Sequence, residues 1–132
     1  MVLVDSNVLI DLFTNDPNWA EWSENALLEA ARYDALAINP VIYAEISIAF
    51  SDAAKLDAVL EPLEIMRLQL PYRAAFLAGK AFLKYRRQGG DRSSPLPDFF
   101  IGAHAVSEKI KLITRDTKRF RSYFPGINCV TP

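Results

Sequence analysis

Four acidic residues stand where their types and surroundings allow chemistry: Asp5, Glu45, Asp98 and Asp116. Asp5 ends the apolar run Val2-Leu3-Val4 and precedes Ser6-Asn7, after which a second apolar run, Val8-Leu9-Ile10, begins. Asp116 comes just after another apolar stretch, Leu112-Ile113-Thr114. Glu45 interrupts a nearly apolar segment, Val41 to Phe50, and Asp98 follows Pro97 at the head of Phe99-Phe100-Ile101. Carboxylates gathered within ~5 Å repel by about 3 kcal/mol per pair at an effective dielectric near 20, so an ionised set needs cations. All-oxygen donors, without His or Cys, select a hard divalent ion, Mg2+ or Mn2+. The chemistry suited to such a set is metal-assisted hydrolysis of a phosphodiester. One ion lowers the pKa of a water, and a second, ~3.5–4 Å away, stabilises the leaving oxygen.

Each acid also has a purely structural reading. Asp5 can cap its own strand-to-helix turn, Asp98 and Asp116 can be helix N-caps, and Glu45 can pair with an arginine. The elements that carry them bear on the choice. Val2 to Val4, with no polar residue alternating, reads as a buried strand, and Ser6 or Asn7 can cap the helix over Val8 to Phe13. Pro17 suits the first turn of the next helix, where Trp19, Trp22, Ala26, Leu27 and Ala30 recur at helical spacing. Trp19 and Trp22 read as core or partner-groove packing. Leu36-Ala37-Ile38 is a second strand, ended by Asn39-Pro40. Helices follow over Val41 to Phe50 and Ala53 to Leu60. The stretch Leu63 to Leu70 suits an edge strand.

Pro71 opens a helix to about Gln88, closed by Gly89-Gly90. Residues 91–97 form a loop, and Asp98 begins another apolar helix. A strand over Leu112 to Thr114, a helix over Thr117 to Tyr123, the turn Pro125-Gly126 and a last strand over Ile127 to Val130 complete the chain. Strands separated by helices imply a parallel sheet, here four to five mainly parallel strands in a three-layer α/β/α sandwich. In such sheets ligands collect beyond the carboxyl ends of the strands, which is where Asp5 and Asp116 fall. A helix bearing Glu45 among Ile42, Ile46 and Ile48 is too apolar to be a solvated face, and a carboxylate so placed needs a partner.

At 132 residues with 51% apolar composition, the chain reads as one globular domain, residues 1–132, with no internal repeat or dividing linker. No apolar run approaches ~18 residues, so no membrane span is expected. The amino-terminal residues enter a strand at once, which leaves no signal segment in the reading. The single cysteine, Cys129, has no internal disulfide partner, and with His104 the only histidine, no zinc site is expected. A reducing cytoplasm fits. Net charge is −1, yet residues 1–66 hold twelve acids against Arg32 and Lys55, while residues 67–132 hold thirteen bases against four acids. This asymmetry fits a nucleic-acid surface or two halves that attract each other.

The stretches Asp5-Ser6-Asn7-Val8-Leu9-Ile10, Tyr43-Ala44-Glu45-Ile46, Pro97-Asp98-Phe99-Phe100-Ile101-Gly102-Ala103 and Ile113-Thr114-Arg115-Asp116 resemble the four acidic motifs of PIN-domain ribonucleases. More narrowly, they resemble those of VapC-type toxins of bacterial toxin–antitoxin systems. The resemblance spans essentially the whole chain, with the motifs in order. It implies that Asp5, Glu45, Asp98 and Asp116 form a catalytic Mg2+ or Mn2+ site of one or two ions, with Asn7 and Thr114 supporting it by hydrogen bonding. It further implies endoribonuclease activity, a homodimer, and inhibition by a VapB-like antitoxin whose C-terminal segment wraps the toxin. The family usually has Thr where Ser6 stands and often Ala at Gly102, and neither difference touches an implied ligand.

Basic residues cluster around the Asp116 strand (Lys109, Lys111, Arg115, Lys118, Arg119, Arg121) and flank the loop before Asp98 (Lys84, Arg86, Arg87, Arg92). Arg115, Lys118, Arg119, Arg92 and Arg87 are the candidates for RNA phosphate contacts, which give sequence-blind affinity; a solvated helix face is the alternative. His104, on an apolar helix, reads as a packed histidine. Two other classes compete. A haloacid-dehalogenase-like phosphatase wants a second Asp where the chain has Asn7. A non-catalytic PIN module serving as a protein-binding scaffold has no need to gather repelling acids.

Overall fold

The computed structural model describes residues 1–90 and 96–132. Strand β1 (Val2–Val4) is apolar at all three positions and wholly buried, and it takes the middle of the sheet. Strands β2 (Leu36–Ile38), β3 (Met66–Arg67), β4 (Lys111–Ile113) and β5 (Cys129–Val130) complete the order β3-β2-β1-β4-β5. All four pairings are parallel, with Leu3 opposite both Ala37 and Leu112. Every carboxyl end therefore lies on one rim. Among the described residues seven α-helices flank this sheet, giving the three-layer α/β/α architecture expected from the alternation of strands and helices.

The helices are α1 (Ser6–Phe13), α2 (Ala20–Ala31), α3 (Pro40–Ser47), α4 (Ala53–Leu60), α5 (Tyr72–Arg87), α6 (Leu96–Ser107) and α7 (Thr117–Tyr123). Several boundaries differ from the sequence expectation. Asp5, rather than Ser6 or Asn7, holds the N-cap position of α1, so both polar residues fall inside the first turn. Pro17 lies in a turn before α2, where the Asp16 carboxylate accepts hydrogen bonds from the Asn18 and Trp19 amides. Helix α3 starts one residue early because Pro40 fits the first helical position and Asn39 caps the Ile42 amide at 2.9 Å. Helix α6 already includes Leu96 and Pro97, which places Asp98 inside its first turn. The edge strands are two residues each, shorter than the runs that suggested them. The loop expected before Asp98 lies, over residues 91–95, outside the described residues.

Helices α5 and α6 pack closely through the small residues Ala74 and Ala78. Phe99, fully buried, sits at the centre of an aromatic cluster, edge-on to Phe82 at 5.2 Å and stacked on Tyr123 at 4.1 Å. Burying Phe99 fixes the rotation of α6 and with it the direction of the neighbouring Asp98. Gly102, one turn on, lies against Phe124: a Cβ there would stand 2.5 Å from the Phe124 ring and 3.3 Å from Phe120.

Candidate active site

Asp5 has the extended backbone of an N-cap, yet its side chain caps nothing. It turns instead to β4, where the Thr114 hydroxyl donates to Asp5 Oδ2 at 2.7 Å. The same hydroxyl accepts the Asp116 amide at 3.0 Å, so one buried threonine ties the ends of β1 and β4 together. The Ser6 hydroxyl donates to Glu45 Oε1 at 2.9 Å and lies 3.5 Å from Asp5 Oδ1. Glu45 thus reaches the rim from α3, paired with a serine and not with an arginine.

Asp98 is nearly buried and receives Arg119 Nη1 at 2.6 Å. Arg119 Nε stands 3.1 Å from Asp116 Oδ2, so the guanidinium bridges the two acids. Asp116 is an N-cap as well, accepting the Arg119 amide at 3.4 Å. Helices α3 and α6 are joined beneath the rim by Asn39, whose Nδ2 faces His104 Nδ1 at 3.0 Å. Because Asn39 Oδ1 is held by the Ile42 amide, Nδ2 donates and Nδ1 carries no proton. Burial pushes the His104 pKa down, in keeping with a packed neutral ring.

The electrostatics follow from this crowding. Burial raises the Asp5 pKa to about 7; the Thr114 hydrogen bond opposes the shift, and the charges of Asp98 and Glu45 add to it. Burial also raises Glu45, partly offset by Ser6 and reinforced by Asp98. Asp98 is raised by burial, with Arg119 pulling the other way and Asp116 adding to the rise. The four acids that lie far apart in the chain therefore interact across one rim.

Of the two residues expected to support the site by hydrogen bonding, Thr114 does so and Asn7 Oδ1 does not. Thr114 makes the contacts above, and the buried Oδ1 of Asn7 is, among the described residues, the one buried side-chain oxygen or nitrogen without a hydrogen-bond partner. Two roles were not read from the sequence. Ser6 is a bridge between acids rather than a cap, a role hinted at by a hydroxyl directly after Asp5. Arg119 spans two of the acids, a role signalled by its place three residues beyond Asp116.

Arg115 departs from its expected use. Its Nε and Nη2 lie 2.9 and 3.3 Å from the two carboxylate oxygens of Asp11, which is 2% exposed. Ser23 donates to Asp11 at 3.1 Å, and the guanidinium sits 5.4 Å from the centre of a Trp19 ring. Arg115 is thus committed to an internal pair, and Trp19 is its platform. Lys118 and Arg87 are exposed, and Arg92 lies outside the described residues.

Among the described residues no three His, Cys, Asp or Glu are drawn together tightly enough to hold an ion as they stand. The donor set nevertheless fits a hard cation: carboxylate oxygens and the hydroxyls of Ser6 and Thr114 stand together on the rim, with neither thiolate nor imidazole among them.

The interacting acids lie on the carboxyl rim of a parallel α/β sheet, where ligands collect in sheets of this kind. The model of the PIN domain family matches residues 2–123, and the chain belongs to that family. None of the curated proteins matches it by sequence. Solved structures do. The chain resembles one from the VapBC2 complex of Rickettsia felis bound to a promoter DNA fragment, with TM-score 0.76, 21% identity, and 100% of this chain and 99% of that one covered. It also resembles a chain of a toxin–antitoxin complex from Klebsiella pneumoniae, with TM-score 0.72, 25% identity and coverage of 100% and 98%. A third is from VapBC-1 of nontypeable Haemophilus influenzae, with TM-score 0.74, 21% identity and coverage of 99% and 98%.

Proposed function

We propose that the chain is a VapC-type toxin that cuts RNA as a Mg2+- or Mn2+-dependent endoribonuclease. The observation that carries this reading is the linkage of Asp5, Glu45, Asp98 and Asp116 through Ser6, Thr114 and Arg119 on one rim. Membership of the PIN family and likeness to chains of toxin–antitoxin complexes support it.

Asp5, Glu45, Asp98 and Asp116 would hold the metal. A divalent ion bound there supplies Lewis acidity that acidifies a water and offsets charge on the leaving oxygen. The chain's own residues do the rest. Thr114 fixes one oxygen of Asp5, and Ser6 fixes one oxygen of Glu45. Asp5 and Glu45, raised in pKa by burial and by neighbouring acids, favour the arrival of positive charge. Exposed Lys118 and Arg87 offer phosphate contacts outside the acid set.

The expected partners are single-stranded or looped RNA as substrate, where bases and backbone are accessible, a VapB-like antitoxin, and a second copy of the chain. The expected setting is the cytoplasm; no helix among the described residues is long and apolar enough to cross a membrane. The test is RNA cleavage by purified protein with Mg2+ or Mn2+. Asp5→Asn and Asp98→Asn should abolish it while the fold survives; wild-type rates in either variant overturn the reading.

One observation favours a second reading. Arg119 already neutralises Asp98 and Asp116, as a metal-free scaffold would require. Titration with Mn2+ separates the two, since a scaffold takes up none.

A further inference from the structure

Beside the acids the same rim carries a cavity of about 230 Å³, lined by Ile38, Pro40, Tyr43, Arg67, Leu68 and Gln69. It lies beyond the carboxyl ends of β2, which neighbours β1 on the side away from β4, and of β3 at the edge beyond it. With strands ~4.8 Å apart, these ends stand within about 10 Å of the end that carries Asp5. Two of the lining side chains bond to one carboxylate. Asp57 Oδ1 accepts the Tyr43 hydroxyl at 2.9 Å and Arg67 Nη2 at 2.5 Å, and the Arg67 guanidinium lies 5.0 Å from the Tyr43 ring centre. Asp57 also neutralises Arg67, so the assembly offers planar surface rather than net charge. Gln69 is exposed, and its amide has both donors and an acceptor.

The apolar side chains of Ile38, Pro40 and Leu68, a guanidinium lying over an aromatic ring, and the exposed amide of Gln69 match the needs of a nucleobase. Single-stranded RNA is recognised by stacking bases on aromatic rings or arginine planes and by bonding their edges. We propose that this cavity is a base subsite, receiving one nucleotide next to the scissile phosphate. Arg67 and Tyr43 form its platform, and Gln69 reads the base edge. The proposal rests on the nuclease reading, and it assigns specificity to residues outside the acid set. The competing structural role is plain: the Tyr43, Asp57 and Arg67 contacts also tie β3 to α3 and α4.

The test is sequencing of the RNA ends produced from a random-sequence RNA pool with Mg2+ or Mn2+. The wild-type protein should show a base preference at one position flanking the cut. Gln69→Ala should flatten that preference, lowering cleavage beside the preferred base toward the level seen beside the other bases. Arg67→Ala should weaken binding of a short oligoribonucleotide about tenfold, measured on the Asp5→Asn background. It should leave an analogue abasic at the preferred position unaffected. A purely structural role lowers the melting temperature of Arg67→Ala and weakens both oligomers alike. Unchanged base frequencies in Gln69→Ala, or equal losses for intact and abasic RNA, overturn the subsite while the nuclease stands. Failure of any metal-dependent cleavage removes the nuclease reading and the subsite with it.

Discussion

Arg119 Nη1 lies 2.6 Å from Asp98 Oδ2, and the same guanidinium reaches Asp116, so a side chain of the protein itself is the cation of its acid cluster. The contact is partly exposed, at 45% for Arg119, which weakens it against a buried pair. A divalent ion approaching Asp98 and Asp116 has to displace or share with this guanidinium. Arg119→Gln should therefore bind Mn2+ several-fold more tightly, read by electron paramagnetic resonance of the free ion. It should also melt at a lower temperature in EDTA. Weaker Mn2+ binding in the variant would assign Arg119 to supporting the metal rather than competing with it.

Asp5 supplies the second prediction. Its folded pKa of about 7 lies above the ordinary 3.8, so the folded protein binds more protons than the unfolded chain between these values. Stability contributed by the protonated form is complete below pH 3.8 and is lost as pH rises through 7. Asp5→Asn removes that loss, which integrates to an order of a few kcal/mol. In EDTA at pH 8 the variant should melt no lower than wild type, and the gap should shrink toward pH 5. A clear drop in melting temperature at pH 8 would make the carboxylate structural.

Arg115 and Asp11 give the third. Removing one partner of a buried pair costs 3–5 kcal/mol because a charge is left unpaired, and the partial exposure of Arg115 reduces that figure. Arg115→Ala should cost about 2–3 kcal/mol in denaturant unfolding. A loss below about 0.5 kcal/mol would return Arg115 to the surface charges free to meet RNA.

His104 provides the fourth. Its folded pKa is depressed by burial, so the neutral ring contributes stability that is present above the unfolded value of 6.5 and is lost as pH falls below it. Protonation would also place a hydrogen on Nδ1, against the Asn39 amide. His104→Leu should be less stable at pH 7.5 but flatter between pH 7 and 5, by chemical denaturation. Parallel curves for the two proteins would assign that slope elsewhere.

The acids were legible because strand ends and helix starts are written in local composition. Val2 to Val4 is a buried run that stops at a carboxylate, and that pattern survives any tertiary detail. The order of helices and strands then dictates a parallel sheet and a shared rim. What the sequence left open was the choice among side-chain partners across long separations. Arg115 and Asp11 are 104 residues apart, and nothing local distinguishes an arginine that meets RNA from one that meets a buried acid. Ser6 was misread for the opposite reason: its local role as a cap was strong enough to hide a bond to Glu45, 39 residues away. Boundaries such as the start of α6 shifted because Pro97 is favourable in a first helical turn.

The Phe124 ring occupies the space that a methyl group on residue 102 would need. Substitution at these two positions therefore has a direction in descent. Alanine at 102 arriving first meets a rigid, buried ring and costs about 1–3 kcal/mol. A smaller residue at 124 arriving first opens a void, and alanine at 102 then fills part of it. A chain that keeps the bulky ring is thereby held to glycine on the helix that bears Asp98.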